Sequence, residues 1–459
     1  MVANSRLLPL LEKKMVRLKP EAEKQHLLAG FSGDSSFAAE ARICLQCASC
    51  ASCCPVLYCQ GQSNIRRIVH MLQLGMTRRI VESDALWSCA LCLECQESCP
   101  MGVNLYHIIT SLRQIAAQKG FLPPAAVYFV RSTLRRGRPL PLSARELTSW
   151  AESLNLPRRG ERIFYGGFYP IMDHAEALQR RVSRISPRRF RLLSNLLVIA
   201  QQLGLDRAAL RLGQMVGQID KPGNEHRRSL ISAVKVLQRL GVEVAYLGED
   251  EPWCGLELHT YGMKKDFAHH ARKVYGRLGE MGVAEIITAD TLSLTCFHKF
   301  YPEVLDCFDI KVRHFLEVVA EKLPDHKLSL GPSQVNVVFS DPCYLARYLR
   351  VTEEPRAVLE RIEGVCLREA ESNRLATRCD GGGGIEVINP SLALSMAKVR
   401  AEELAETHPD RIVTSCPVCV MMLKLGLETA GYHISVVNIE DILWEALEGG
   451  SPPGMQASP

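Results

Sequence analysis

The sequence predicts an α/β protein in which a small all-helical N-terminal domain precedes a larger region of parallel sheet covered by helices. Three observations predict it. From about residue 240, short β-branched runs such as "VEVAYLG" (242–248), "AEIIT" (284–288), "VNVVFS" (335–340) and "RIVTS" (411–415) alternate with helical patterns such as "KKDFAHHARKVYGRLGEMG" and "SLALSMAKVRAEELAET". Near the N-terminus, "IRRIVHMLQLGMTRRIVESDALW" (65–87) places its apolar residues at helical spacing around a central glycine, which reads as two short helices. The third observation is internal similarity: "AEIITADTLSLTC" (284–296) aligns with "DRIVTSCPVCVMML" (410–423), so that Asp290 falls on Cys416 and Ser293 on Cys419.

Composition sets the class. The 459 residues are 47% apolar and 23% charged, enough for two or three buried cores and without a sign of disorder. The longest apolar run, "LLSNLLVIAQQLGL", is interrupted by polar residues and falls short of the ~20 needed to cross a bilayer, so no transmembrane helix is expected. The first residues, "MVANSRLLPLLEKKMVRLKP", mix charge into the apolar positions and do not read as a secretory signal. A cytoplasmic location is expected. Eighteen cysteines in a reducing compartment then point to metal ligation or redox chemistry rather than disulfides.

Ten of those cysteines lie between Cys44 and Cys99, and eight form two copies of C-x2-C-x2-C-x3-C-P: Cys44, Cys47, Cys50, Cys54-Pro55 and Cys89, Cys92, Cys95, Cys99-Pro100. Three thiolates at three-residue spacing wrap one face of a compact cluster, while the fourth, turned away by its proline, reaches the neighbouring one. Crossed ligation is therefore expected, with Cys44, Cys47, Cys50 and Cys99 on one 4Fe-4S cluster and Cys89, Cys92, Cys95 and Cys54 on another. The competing reading is a pair of zinc sites, which typically use C-x2-C pairs split by a longer loop and often recruit histidine. Cys53 and Cys59 fall outside the pattern and read as packed thiols. With "IRRIVHMLQLG" between the motifs and "GVNLYHIITSLRQIA" after them, residues 36–120 resemble the small iron–sulfur subunit of heterodisulfide reductases.

Residues 131–191 carry fourteen arginines against five acids, with no lysine and five prolines. The stretch lacks regularly interleaved aromatics and any recognisable nucleic-acid module, so it reads as a solvated linker or a docking surface for an acidic partner subunit.

The remaining chain reads as a duplication. Cys254 precedes Asp290 by the same 36 positions that separate Asp380 from Cys416, so "PWCG" and "RCDG" occupy the same place in two halves. In the second half Cys343, Cys379, Cys416 and Cys419 follow C-x35-C-D-x35-C-P-x-C. With "DPCYLAR", "EPRAVLERIEGV" and "LGEDEPWCG", residues 240–445 resemble the cysteine-rich CCG repeats of heterodisulfide reductase catalytic subunits. Related repeats occur in the iron–sulfur subunits of glycolate, lactate and anaerobic glycerol-3-phosphate dehydrogenases. The usual cysteine pair is Cys379-Asp380 here, and the first half keeps only Cys254. The run Gly381 to Gly384 reads as backbone brought close to a cluster; a phosphate loop and a plain turn are the alternatives, and no Lys-Ser/Thr pair follows the glycines. Trp253 is expected to fill the vacant cavity beside Cys254. Cys296, Cys307 and Cys366 read as core thiols, and His298 and His314 as structural histidines.

The resulting architecture is a helical, ferredoxin-type domain with two 4Fe-4S clusters over residues 1–125 and a basic linker over 126–161. A first CCG-type half without a cluster follows over 162–330, opened by a strand near 162–170 or 215–222. A cluster-binding second half spans 331–450, and the tail is 451–459. The resemblance implies an oxidoreductase subunit whose third, catalytic site comprises Cys343, Cys379, Asp380, Cys416 and Cys419. It would act on a thiol or disulfide, or exchange electrons with a quinone or flavin partner. A flavoprotein, another redox subunit or a membrane-bound quinone-linked subunit is the expected partner, with neither nucleic acid nor direct membrane insertion. The alternative from another class is a non-catalytic wiring or scaffold subunit.

Overall fold

The computed structural model describes residues 36–60, 65–208, 222–323 and 328–448. The N-terminal segment, the tail and nearly all of the 215–222 strand candidate lie outside the described residues.

The N-terminal region is helical. Short helices Ser36–Arg42, Ser49–Ser52, Pro55–Gln60, Ile65–Gln73, Thr77–Val81 and Glu94–Glu97 lead into Leu105–Gln118. Helix Ile65–Gln73 buries Ile65, Ile68, Val69 and Leu72, the one-face spacing expected of an amphipathic helix. Helix Leu105–Gln118 starts where the Asn104 side chain accepts the His107 amide at 2.9 Å. It buries Leu105, Ile108, Ile109 and Leu112 against the rest of the domain.

Residues 126–161, expected as a linker, are folded. Helix Pro124–Arg136 buries Ala126, Val127, Val130 and Thr133, and a capping box of Ser143 and Glu146 starts helix Ala144–Thr148. Trp150 then packs at 4.6 Å from Tyr246. The arginine-rich composition masks this apolar stripe, although Arg135 and Arg136 are exposed. Arg136 meets the buried Asp206 at 2.6 Å.

Nine strands are present among the described residues. Strands β1 (Arg162–Phe164), β2 (Glu285–Thr288) and β3 (Lys311–His314) form a parallel sheet in that order, with Ile163 opposite Ile286 and Ile286 opposite Val312. Next come β4 (Leu328–Ser329), β5 (Val335–Phe339), β6 (Ile362–Glu363), β7 (Val365–Arg368), β8 (Arg411–Thr414) and β9 (Ser435–Asn438). Strands β4 and β6 pair as a ribbon, and the others form a parallel sheet in the order β7-β5-β8-β9. Of the two candidates for an opening strand, residues 162–170 supply β1. The run 242–248 forms no strand; it contributes one bridge, Ala245 to Ile163, before a 3-10 turn at Gly248–Asp250 diverts it. In both sheets the loops after the strands hold the residues of interest: Gly167 after β1, Asp290 after β2, Cys343 after β5 and Cys416 after β8. The C-terminal ends of parallel strands are where open α/β sheets place their ligands.

His314 ends β3 and caps helix Phe315–Lys322, its Nδ1 accepting the Leu316 amide at 3.2 Å. Burial pushes its imidazole down to about 4. An unfolded histidine titrates near 6.5, so the folded state loses stability as pH falls from about 6.5 toward 4, the unfolded chain binding the extra proton. His314→Asn keeps a capping oxygen and removes the titration. The variant is expected to show a shallower fall in Tm between pH 6.5 and 4 than wild type, and parallel curves would refute the assignment.

Candidate iron–sulfur centres

The two N-terminal motifs curl around two cavities. One, of about 20 Å³, is lined by Cys44, Cys47, Cys50 and Cys99. The other, of about 40 Å³, is lined by Cys89, Cys92, Cys95 and Cys54. Each cavity collects three cysteines of one motif and the last cysteine of the other. The loops curl by placing non-glycine residues in the left-handed region at equal offsets: Gln46 (φ 57°) and Ala48 (φ 72°) match Leu91 (φ 53°) and Leu93 (φ 64°). Such strain persists only where surrounding structure imposes it. The same turn directs the Gln46 amide to Cys44 Sγ at 3.5 Å and the Leu91 amide to Cys89 Sγ at 3.4 Å.

The donor set fits a cluster better than a single ion. Zinc bound at about 2.3 Å would draw its sulfurs within about 4 Å of one another. The thiols instead ring a void. Burial pushes Cys50 up to about 11 and Cys54 up to about 12, and raises Cys95 strongly. Buried thiols of this kind ionise against a cationic partner, which is what ligation to iron supplies.

A third group of thiols gathers beyond β5 and β8. Cys379, Cys416 and Cys419 are buried and Cys343 is half-buried. Cys379 lies against Cys343 and Cys92, Cys419 against Cys416, and Asp380 against Cys419. The Gly381 amide donates to Cys379 Sγ at 3.4 Å, repeating the bond made in both N-terminal loops. Asp380 Oδ1 accepts the Gly382 amide at 3.0 Å, and burial raises its carboxyl above the ordinary range while the neighbouring Cys419 thiol opposes the shift. The glycine run permits this packing. A Cβ on Gly381 (φ +86°) would lie 2.5 Å from the Ala393 carbonyl oxygen, and one on Gly382 would lie 2.7 Å from Val418 Cγ1.

The third group abuts the second cavity. A π-helical turn, Tyr344–Tyr348, follows Cys343 and projects Arg347 between the two. Its guanidinium donates to the carbonyls of Cys92, Thr377 (2.6 Å) and Leu375 (3.0 Å). Tyr348 donates to the Leu91 carbonyl at 2.7 Å, and Arg350 pairs with Glu97 at 2.6 Å. The neighbouring Cys379 thiol and the Arg347 charge lower the Cys92 thiol. From the other side the buried Arg113 donates to the carbonyls of Cys89 (2.6 Å) and Thr260 (3.1 Å). Neither arginine was singled out from the sequence, although Arg347 closes the quoted "DPCYLAR".

The corresponding place in the first sheet is filled with ordinary polar contacts. Asp290 caps helix Thr291–Thr295 and also accepts the Phe168 amide at 2.9 Å, while Ser293 Oγ donates to Cys254 Sγ at 3.5 Å. Gly167 lies against both, a Cβ there being 2.3 Å from Asp290 Oδ2. Trp253 does not occupy this space. It packs against Phe168 at 4.5 Å, and its indole donates to Glu257 at 2.9 Å, because the buried carboxylate offers the ring nitrogen an acceptor. Cys296 is buried as expected, but Cys307 is exposed.

Gly381→Ala is expected to lower stability by about 2–4 kcal/mol, combining strain at positive φ with collision against fixed backbone. Gly75→Ala, at φ +71° with no atom within 4 Å, is the control and should cost about 1 kcal/mol. Equal losses in urea unfolding would show that the glycine loop is not tightly packed.

Comparison with known proteins identifies two domains. Residues 40–103 match the 4Fe-4S dicluster domain and residues 337–424 the cysteine-rich domain CCG. The chain is 26% identical over 387 residues to a Chromohalobacter salexigens protein named "Probable membrane-anchored ferredoxin", covering 83% of this chain and 50% of that protein. To the EtfAB:quinone oxidoreductase of Syntrophomonas wolfei it is 22% identical, covering 83% and 49%. To a chain of the dihydromethanophenazine:CoB–CoM heterodisulfide reductase of Methanosarcina acetivorans it is 30% identical, covering 46% and 54%. The protein spans about half the length of these relatives. The chain thus joins a 4Fe-4S dicluster domain to a cysteine-rich CCG domain, and in this it is similar to iron–sulfur oxidoreductases that include a heterodisulfide reductase chain.

Proposed function

We propose that the chain is an iron–sulfur oxidoreductase subunit with three cluster sites in series. Cys44, Cys47, Cys50 and Cys99 hold one 4Fe-4S cluster; Cys89, Cys92, Cys95 and Cys54 hold a second; Cys343, Cys379, Cys416 and Cys419 hold a third with Asp380 beside it. The observation that carries this reading is the apposition of Cys92 and Cys379, which brings a side chain of the second set against one of the third. When bound, such clusters supply one-electron redox centres.

The residues around each set define its part. Cys47 is exposed, as are Ile43 and Leu45 beside it, so the first set meets solvent and is where a redox partner, a flavoprotein or another subunit, approaches. The second set is enclosed, with Arg113 and Arg347 holding its loop carbonyls. At the third set Asp380 replaces the family's fifth thiolate, and a carboxylate is a harder and less covalent iron ligand. That substitution favours electron transfer or thiol binding over cleavage of a disulfide bound at two sites. The relatives' names suggest the substrate range: a thiol or disulfide, a quinone or a flavin partner. We infer that the first α/β half arose by duplication and binds no cluster, since Gly167, Asp290 and Ser293 stand where thiolates are required.

Two measurements test the reading. In anaerobic EPR, Cys54→Ser is expected to alter the signal of the second-motif cluster and Cys99→Ser that of the first; each variant losing only its own motif's cluster would overturn the crossed assignment. For the third site, Mössbauer spectra of Asp380→Ala and Asp380→Cys should differ from wild type, whereas three identical spectra would remove Asp380 from the site.

A further inference from the structure

Helix Pro187–Gln202 is amphipathic in the wrong sense for water. Its buried residues are Ser194, Val198 and Gln201, the last donating to the Tyr128 carbonyl at 3.0 Å. Its outward face carries Leu192 (50% exposed), Leu196 (47%) and Ile199 (37%), continued by Leu203 (69%) at the cap. The spacing i, i+4, i+7, i+11 makes one continuous apolar stripe, and contiguous exposed apolar surface marks an interaction site. Arg188 and Arg189 are exposed in the first turn of the same helix. Apolar residues flanked by arginine are the signature of a helix lying in an anionic lipid surface. Among the described residues no helix is long and apolar enough to cross a membrane.

Behind this helix runs a cavity of about 650 Å³, within the range of small-molecule sites, roughly 300–1,000 Å³. Phe190, Leu193 and Leu197 of the helix wall its outer end, and Gly383, Glu386 and Val418 its inner end. Val418 adjoins Cys419, and Gly383 belongs to the loop packed on Cys379, so the inner end abuts the third thiol set. The lining is mainly aliphatic and aromatic, with Gln179, Arg181, Ser194, Glu257, Thr260 and Glu386 as its polar members. At the inner end the Glu386 carboxylate accepts the Gly384 amide at 2.6 Å, and Tyr261 donates to the Gly384 carbonyl at 3.3 Å. Burial pushes the Glu386 carboxyl up to about 7, which suits it to hydrogen-bond a carbonyl oxygen in its protonated form.

We propose that this cavity binds a lipid-soluble, ring-bearing redox carrier of the quinone class, drawn from an anionic membrane leaflet in which helix Pro187–Gln202 lies. The proposal rests on the oxidoreductase reading above and adds the ligand and its route: the tail among the helix leucines, the ring at Glu386 beside the third set.

The test uses the full-length, cluster-loaded protein in two binding assays. Titration with a decyl-substituted benzoquinone, followed by quenching of intrinsic fluorescence, should saturate in wild type. Leu197→Trp and Met172→Trp, which fill the cavity, should each weaken binding at least tenfold with cluster EPR unchanged. In flotation, wild type should rise with vesicles containing phosphatidylglycerol and less so with pure phosphatidylcholine, and Leu192→Glu/Ile199→Glu, at exposed positions outside the cavity lining, should abolish the effect. Absence of saturable binding, wild-type affinity in both filled variants, or failure of wild type to float would overturn the proposal. Missing cluster EPR signals in wild type would instead sink the oxidoreductase reading, which separates the two failures.

Discussion

The arrangement depends on one buried guanidinium. Arg347 bonds the Cys92 carbonyl on the dicluster side and the Thr377 and Leu375 carbonyls on the approach to Cys379. Carbonyls of tightly curled loops point away from their own sulfurs and would be orphaned at an interface dry enough to bring two cysteine sets together. A planar cation with five donors satisfies several at once, which a lysine cannot do with the same geometry. Hydrogen bonds from a charged donor contribute about 1.5–3 kcal/mol each. Arg113 does the same for Cys89 and Leu86 from the opposite side. The two arginines therefore hold the second motif between the helical domain and the sheet.

The same local device recurs at all three thiol sets. In each, the amide two residues beyond a cysteine turns back to its sulfur, at Gln46, Leu91 and Gly381. The N-terminal loops achieve this with ordinary residues at positive φ, the C-terminal one with glycine. Burial alone does not set the difference, since Leu91 is itself buried; Gly381 is the position where a side chain would meet backbone, at Ala393, whereas the first N-terminal loop curls at the surface, where Leu45 and Cys47 remain exposed.

What could be read in the sequence was what is local or periodic. The eight N-terminal cysteines stand at fixed short offsets, and the strands at 285–288, 335–339 and 411–414 are β-branched runs between helical patterns. The run 242–248 looked alike but makes a single bridge, because strand formation needs a partner and a straight path rather than propensity alone. The helix Pro124–Arg136 was hidden beneath its arginines, and Trp253 followed the Glu257 carboxylate rather than the space beside Cys254. Arg347 and Arg113 were invisible for another reason. Each acts through carbonyls far away in the chain, and no pattern in the residues beside them records those partners.

The span of one of these bonds has a consequence for how the chain is made. Arg347 lies 255 positions after Cys92, whose loop it closes. Domains fold as they emerge during synthesis, N-terminal first, so the second motif leaves the ribosome while most of its enclosing wall is still untranslated. For that interval the Cys92 carbonyl lacks the guanidinium that later bonds it. Translation thus sets a window: the loop that ends up enclosed is the one the growing polypeptide makes early and closes late.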